Sequence, residues 1–207
     1  MWYRRIIVFA VALPLLSAGL GLRPAVAEET QASAAKWLPQ NTVLAIEADD
    51  PGALLDLLLD PRVGKAVKQL PVFQNQMSSP GFQQFLGVIG VLELRLDTTW
   101  QEGVRKLAGG GVTFAALPQD TAVLILEAED ADFLKELQRI VVEFARTQAQ
   151  NQGDPDRVRS AEYRGVTGWA LGPKQAHAII GNRLVFVNKP DGLKTLIDVR
   201  ANPNGPS

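Results

Sequence analysis

The chain has no cysteine among its 207 residues. This absence excludes disulfide bridges, a lipid-modified cysteine after a leader, a thiolate nucleophile and thiolate metal sites. Hydrophobic residues make up 46% of the sequence, so we expect an ordinary apolar core to stabilise the fold.

Histidine occurs once, as His177. A single histidine cannot form a multi-histidine zinc site, and no serine stands in the Gly-x-Ser-x-Gly turn of a Ser-His-Asp enzyme. We interpret His177 as a strand residue that faces solvent or lies at a sheet edge. We therefore assign no catalytic residue, and the sequence favours a protein that is not an enzyme without deciding the question.

A long apolar run occurs only near the N terminus, from Ile6 to Leu22. Arg4-Arg5 precedes it and Ala25-Val26-Ala27 follows it, which is typical of a signal peptide cleaved after Ala27. The run also reaches the short end of the roughly 17–25 residues that span a bilayer. We predict a periplasmic or secreted protein after removal of residues 1–27; the alternative is a protein tethered to the membrane by an uncleaved N-terminal segment.

A surplus of positive charge is also missing. Three of the 21 basic side chains belong to the leader, which leaves 18 against 22 acidic ones and a net charge of −4. This balance disfavours the phosphate backbone of nucleic acids and an anionic membrane surface. We predict no nucleic-acid partner, and contact with a membrane only through the signal segment before cleavage.

The rest of the chain divides into a flexible lead-in at 28–35, an α+β domain at 36–200 with a potential internal boundary at 148–158, and a disordered tail or linker at 201–207. Within the domain, a strand at Val43–Ile46 precedes a helix that Pro51 opens. The same template recurs at Val123–Asp130 and, more weakly, at Leu184–Ile197. The unequal offsets of 80 and 59 residues indicate duplication inside a globular fold and not a solenoid.

Helical spacing predicts further elements between these copies. A helix begins at Ser79-Pro80 and runs to Leu96, and its apolar residues are spread so widely that we expect cover on more than one side. A second helix starts with a capping box, Thr99 with Glu102, and stops at Gly109-Gly110-Gly111. A β-hairpin then joins strands at 112–117 and 122–126.

The C-terminal part begins with a helix from about Asp132, followed by a polar loop at 148–155. Three strands follow, at 161–170, 176–180 and 183–187, with a tight turn at Gly181-Asn182. Hairpins with helices inserted between them predict an α+β fold: an antiparallel or mixed sheet with helices packed mainly on one face, containing repeated β-α units.

Acidic residues cluster after two of the strands, at 47–50 and 127–132. A calcium or magnesium site needs six or more oxygen ligands, and the Asp-x-Asp-x-Asp-Gly loop is missing. Helix capping explains the same residues. Gly109-Gly110-Gly111 follows a helix, whereas a phosphate-binding loop precedes one. We assign no metal and no cofactor.

Aromatic and basic residues lie close together in one stretch near the C terminus. Exposed aromatics beside arginines are typical of interaction surfaces, so this stretch is our candidate contact surface: Arg159, Tyr163, Arg164 and Trp169. The alternative is a strand pair with ordinary cross-strand charges.

The segment Leu38–Pro51 resembles the opening of a family of exported bacterial proteins of unknown function, which begin with a Leu-Pro-x-x-Thr strand after a signal peptide. Similar patterns are Ser79-Pro80 with Phe82, Thr99-Trp100 before the three glycines, and Ser160–Val166. The resemblance covers most of residues 36 to 200. It implies export but no activity, because the family has no established catalytic residues, and its members are often longer.

Together these observations predict an exported, non-enzymatic domain of the envelope or periplasm that binds a protein or a small ligand. A metal-assisted envelope hydrolase and the N-terminal module of a longer exported protein are the alternatives. The sequence leaves the partner and the oligomeric state open.

Overall fold

The structure is a computed structural model that describes residues 33–52, 56–57, 60–69, 80–172 and 174–202. The predicted signal peptide, residues 28–32 of the lead-in, Ser79 and residues 203–207 lie outside the described part. The helix predicted after Pro51 lies largely outside it too, with helical backbone described at Gly52, Asp56 and Leu57.

The described part contains five α-helices and a seven-stranded sheet. The helices are α1 (Pro61–Lys68), α2 (Pro80–Leu96), α3 (Trp100–Ala108), α4 (Ala131–Asn151) and α5 (Pro190–Ala201). The strands are β1 (Leu44–Ala48), β2 (Gly111–Leu117), β3 (Thr121–Glu127), β4 (Val158–Tyr163), β5 (Val166–Leu171), β6 (Ala176–Ile180) and β7 (Arg183–Val187). Short 3-10 helices lie at Ala34–Trp37 and Pro155–Arg157.

The sheet has the order β1-β2-β3-β7-β6-β5-β4, and every neighbouring pair is antiparallel. The predicted α+β class is confirmed, and so is the β2–β3 hairpin. The single strand predicted at 161–170 is wrong, because this stretch contains parts of both β4 and β5. Arg164 and Gly165 between them have φ angles of 48° and 75°, and two consecutive left-handed residues form the tight hairpin turn that suits twisted strands.

One face of the sheet, which we call the α5 face, is covered by α5 and the first 3-10 helix. Ser33 begins this 3-10 helix by accepting a hydrogen bond from the amide of Ala35, so the last residues of the predicted lead-in have regular structure. The apolar core on this face contains sheet residues together with three residues of α5: Ala115, Leu117, Val123, Ile125, Val166, Ala176, Ala178, Ile180, Val185, Val187, Leu193, Leu196 and Ile197.

The opposite face, which we call the α4 face, carries α3 and α4. Leu134 near the start of α4 packs with Leu184 of β7, while Val142 and Ala149 farther along pack with Val158 of β4. The helix therefore crosses the sheet from β3 and β7 towards the β4 edge. This crossing places one side of α4 beside β5.

Helix α4 begins as its sequence predicts, because Asp130 accepts hydrogen bonds from the amides of Asp132 and Phe133. Its end differs from the prediction, since residues 148–151 are helical and only the following turn is loop. Ala149 is 1% exposed, so the buried side of the helix continues through this segment although most of its residues are polar. Strands from both sides of the potential boundary at 148–158 share one sheet.

Helix α2 matches its predicted bounds but not its predicted cover. It packs against α3 and α4, yet Leu94 is 86% exposed and Val91 is also exposed. The prediction that α2 is covered on more than one side is therefore wrong at these two positions. The capping box of α3 is confirmed, because the Glu102 amide donates to Thr99 Oγ1 at 3.3 Å and the Thr99 amide donates to Glu102 Oε2 at 3.2 Å.

Candidate functional site

The four residues of the predicted contact surface all lie on the β4–β5 hairpin, but on different faces of the sheet. Arg159 and Tyr163 lie on the α5 face, Arg164 lies in the turn, and Trp169 lies on the α4 face beside Ser160. Side chains alternate across a strand, so the hairpin separates Trp169 from Arg159 and Tyr163.

Tyr163 and Arg164 join the hairpin to α5. The Tyr163 hydroxyl donates to the carboxylate of Asp198 at 3.0 Å, and Arg164 Nε lies 3.0 Å from the same carboxylate. Both ionic side chains are about half exposed, so the ion pair adds little stability. The structure thus gives these two residues a bracing role on the α5 face.

Trp169 has a different environment. It is partly buried against the cluster that joins α4 to β4, and the Arg146 guanidinium carbon lies 5.0 Å from its ring centroid. A cation at this distance over the face of an indole is attracted by the ring's quadrupole. The remaining exposed part of the ring opens into a groove.

This groove runs along α4 and has a volume of about 540 Å³. We call it the α4 groove. Its lining combines one side of α4 with the indole of β5: Lys135, Gln138, Arg139, Val142, Glu143, Arg146, Thr147, Gln150 and Trp169. Seven of these nine residues are polar or charged, and Trp169 contributes one aromatic ring to the wall.

Some charged side chains of the groove form ion pairs, and one does not among the described residues. Glu143 pairs with Arg95 at 3.2 Å and with Arg139 at 3.4 Å, and Lys135 pairs with Asp132 at 3.0 Å. Arg146 contacts the indole of Trp169 but has no acidic partner among the described residues. The groove thus has three cations to one carboxylate, and Arg146 is the cation best placed to receive an anion.

Strand β4 borders this region as the last strand of the sheet. Its residues 159–162 are all exposed. Ser160, which stands beside Trp169, is small, so no long side chain of β4 separates the indole from the strand's outer edge. Arg159 lies on the opposite face and makes no ion pair within the described ranges of the chain.

The sequence predicted Trp169 but missed the groove residues of α4. Lys135, Arg139 and Arg146 lie on one side of the helix because helical neighbours recur every three or four residues. That spacing is visible in the sequence. What the spacing could not show is that this side of the helix lies beside Trp169, which depends on how α4 crosses the sheet.

The acidic clusters have three separate roles. Asp50 and Asp130 accept helix-start amides, as the capping prediction requires. Glu127, in contrast, forms an ion pair with the buried Arg183 at 2.6 Å. Burial alone would raise the pKa of Glu47, but hydrogen bonds from Ser33, Ala35 and Thr113 lower it.

His177 does not face solvent or an edge, so that interpretation is wrong. It lies on central strand β6, is 5% exposed, and stacks obliquely on Phe186 with ring centroids 5.5 Å apart. Burial lowers its pKa to about 4. The neighbouring alanines do not indicate burial. His177 is buried because it lies on the α4 face, and the sequence around it does not show that a helix covers that face.

Helix α3 ends at Ala108, and Gly109 is its C-cap residue, as predicted. Across the residues that the structure describes, no three or more acidic or histidine side chains are grouped so as to hold a metal ion. None of the described helices combines the length and the apolar character that crossing a bilayer requires.

The resemblance to exported bacterial proteins stays a prediction, because comparison adds nothing to it. No protein-family model matches this chain, and neither a curated protein nor a solved structure is significantly similar to it.

Proposed function

We propose that the chain is an exported, non-enzymatic domain of the envelope or periplasm, which binds a macromolecule or a small ligand through the α4 groove. The leader pattern of residues 1–27 supports export. The observation that supports binding is the position of Arg146 over the partly exposed ring of Trp169.

Tryptophan and arginine are the residue types most enriched among energetically dominant contacts at interfaces. Here they adjoin, and the guanidinium has no carboxylate partner among the described residues. The surrounding cations stand out in a chain whose net charge is negative. A ligand that offers an anionic group and some planar or apolar surface fits this combination.

Export is tested by fractionating the producing cells and sequencing the N terminus of the recovered protein. We expect a chain that begins at Glu28 in the periplasmic fraction or the medium. A membrane-bound chain that retains the leader would support the tethered alternative. An intact chain starting at Met1 in the cytosol would contradict export.

Binding is tested by placing a photo-reactive amino acid at Gln138 or Gln150, both of which line the groove, and irradiating living cells. We expect a discrete adduct that Arg146→Gln weakens. Arg62 on α1, whose side chain is 91% exposed, serves as the control position. Binding through the groove would be refuted if a photo-reactive residue in place of Arg62 gave the same yield of adduct, or if Arg146→Gln left the yield from the groove positions unchanged.

A further inference from the structure

Strand β4 is the edge strand of the described sheet on the side of the α4 groove. In the described part of the chain, β4 pairs with β5 alone, so one side of its backbone has no strand partner there. Edge strands of this kind accept an extended segment of another chain through main-chain hydrogen bonds. The edge is short and polar, so side-chain chemistry must decide which segment it accepts.

Two arginines lie near this edge, one on each face of the sheet. Arg159 of β4 lies on the α5 face. The next residue, Ser160, pairs with Trp169 on the α4 face, where Arg146 of α4 lies over the Trp169 ring. Neither arginine has an acidic partner among the described residues. In an added strand, two consecutive residues would point to opposite faces, one towards each arginine.

We infer that β4 binds an extended acidic peptide segment by strand addition, with one carboxylate against Arg159 and the adjacent carboxylate against Arg146. This inference rests on the proposed binding function and names its ligand. Arginine pairs with carboxylates through two parallel hydrogen bonds, which gives strength and orientation. A basic segment would meet three cations in the groove.

The distances allow the second contact. Neighbouring strands lie about 4.8 Å apart, so a residue added opposite Ser160 has its backbone about 10 Å from that of Trp169. A glutamate side chain and the long arginine side chain can together span this gap above the small Ser160. Glu162 lies on the same face two residues farther along β4. An acidic residue opposite Glu162 would be repelled, so the acidic pair is confined to one position.

The test uses the protein as purified from the producing cells, labelled with nitrogen-15, and a short blocked peptide with two adjacent glutamates between β-branched residues. Two-dimensional NMR follows the Trp169 indole signal, assigned with Trp169→Phe, and the amides of 159–162. We expect the peptide to shift the indole signal and to slow hydrogen exchange along β4. A matched peptide with two lysines should do neither.

Variants and a modified peptide separate the parts of the inference. Arg146→Gln and Arg159→Gln should each weaken binding about tenfold, the loss expected for one charge-assisted contact, whereas Arg62→Gln should not. Methylating the backbone nitrogens of the acidic peptide should abolish binding, because strand addition needs those donors.

Each other result has a definite meaning. If the methylated peptide still shifts the Trp169 indole, the groove binds anions without strand addition; the inference fails while the proposed function stands. If the acidic peptide leaves both signals unchanged, the inference fails, and the cross-linking experiment judges the proposed function separately. If sedimentation shows that the free protein is a dimer and its amides 159–162 already exchange slowly without peptide, β4 is occupied by a second copy, and strand addition by an acidic partner is refuted.

Discussion

Because His177 is the only histidine of the chain, its burial predicts an acid sensitivity that can be assigned to one residue. Burial lowers its pKa from 6.5 to about 4 in the folded protein. The unfolded chain therefore binds a proton at a pH where the folded protein does not. The stability that depends on neutral His177 is complete above about pH 6.5 and is lost as the pH falls towards about 4. The difference between the two pKa values corresponds to about 3 kcal/mol.

The assay compares urea unfolding of the wild-type protein and His177→Phe between about pH 7 and about pH 4. Phenylalanine keeps a planar ring next to Phe186 but cannot bind a proton. Carboxylates titrate in both proteins, so the difference between the two free energies of unfolding isolates His177. We expect this difference to move in favour of the variant by about 3 kcal/mol over the range. A constant difference, or a histidine NMR signal that titrates near its usual pH, would refute the reasoning.

Two substitutions test the packing and the capping described above. Leu196→Ala removes a side chain of α5 that is 0% exposed and should lower the free energy of unfolding by about 2–5 kcal/mol in urea titrations. Leu94→Ala, at an exposed position of α2, is the control. Equal losses in the two variants would contradict the assigned core. Thr99→Ala removes the side-chain acceptor at the start of α3 and should lower the free energy of unfolding by about 1 kcal/mol. Thr167→Ala, at an exposed position of β5, should lower it less. No loss in Thr99→Ala would mean that water replaces the cap.

Local signals in the sequence predicted much of the fold. Three predictions depend on residues close together in the chain, and the structure confirms them: the capping box at Thr99, helix capping by Asp130, and the β2–β3 hairpin. The β4–β5 turn was missed because only Gly165 has the composition of a left-handed position. Arg164 adopts such a conformation with its side chain held by Asp198, a contact that no local pattern contains.

The candidate site was predictable only in part for the same reason. Trp169 and Arg159 were identified by residue type, but their placement on opposite faces follows from the register of two strands that were predicted as one. Arg146 is distant in sequence from Trp169 and meets it only because α4 crosses the sheet towards β4. The sequence therefore indicated Trp169 and Arg159 but missed the charged residues that α4 contributes to the groove.

The recurring β-α template shows why the sequence could not predict which residues of different elements would meet. Strands β3 and β7 are antiparallel neighbours, and each is followed by a helix, yet α4 lies on one face of the sheet and α5 on the other. Val123-Leu124-Ile125-Leu126 places apolar side chains on both faces of β3, so each face needs a helix to cover it. The template specifies a strand followed by an amphipathic helix, but not the face on which that helix packs. Duplication of the unit stays a prediction. The α4 groove forms on the face that carries Trp169 because that is the face on which α4 packs.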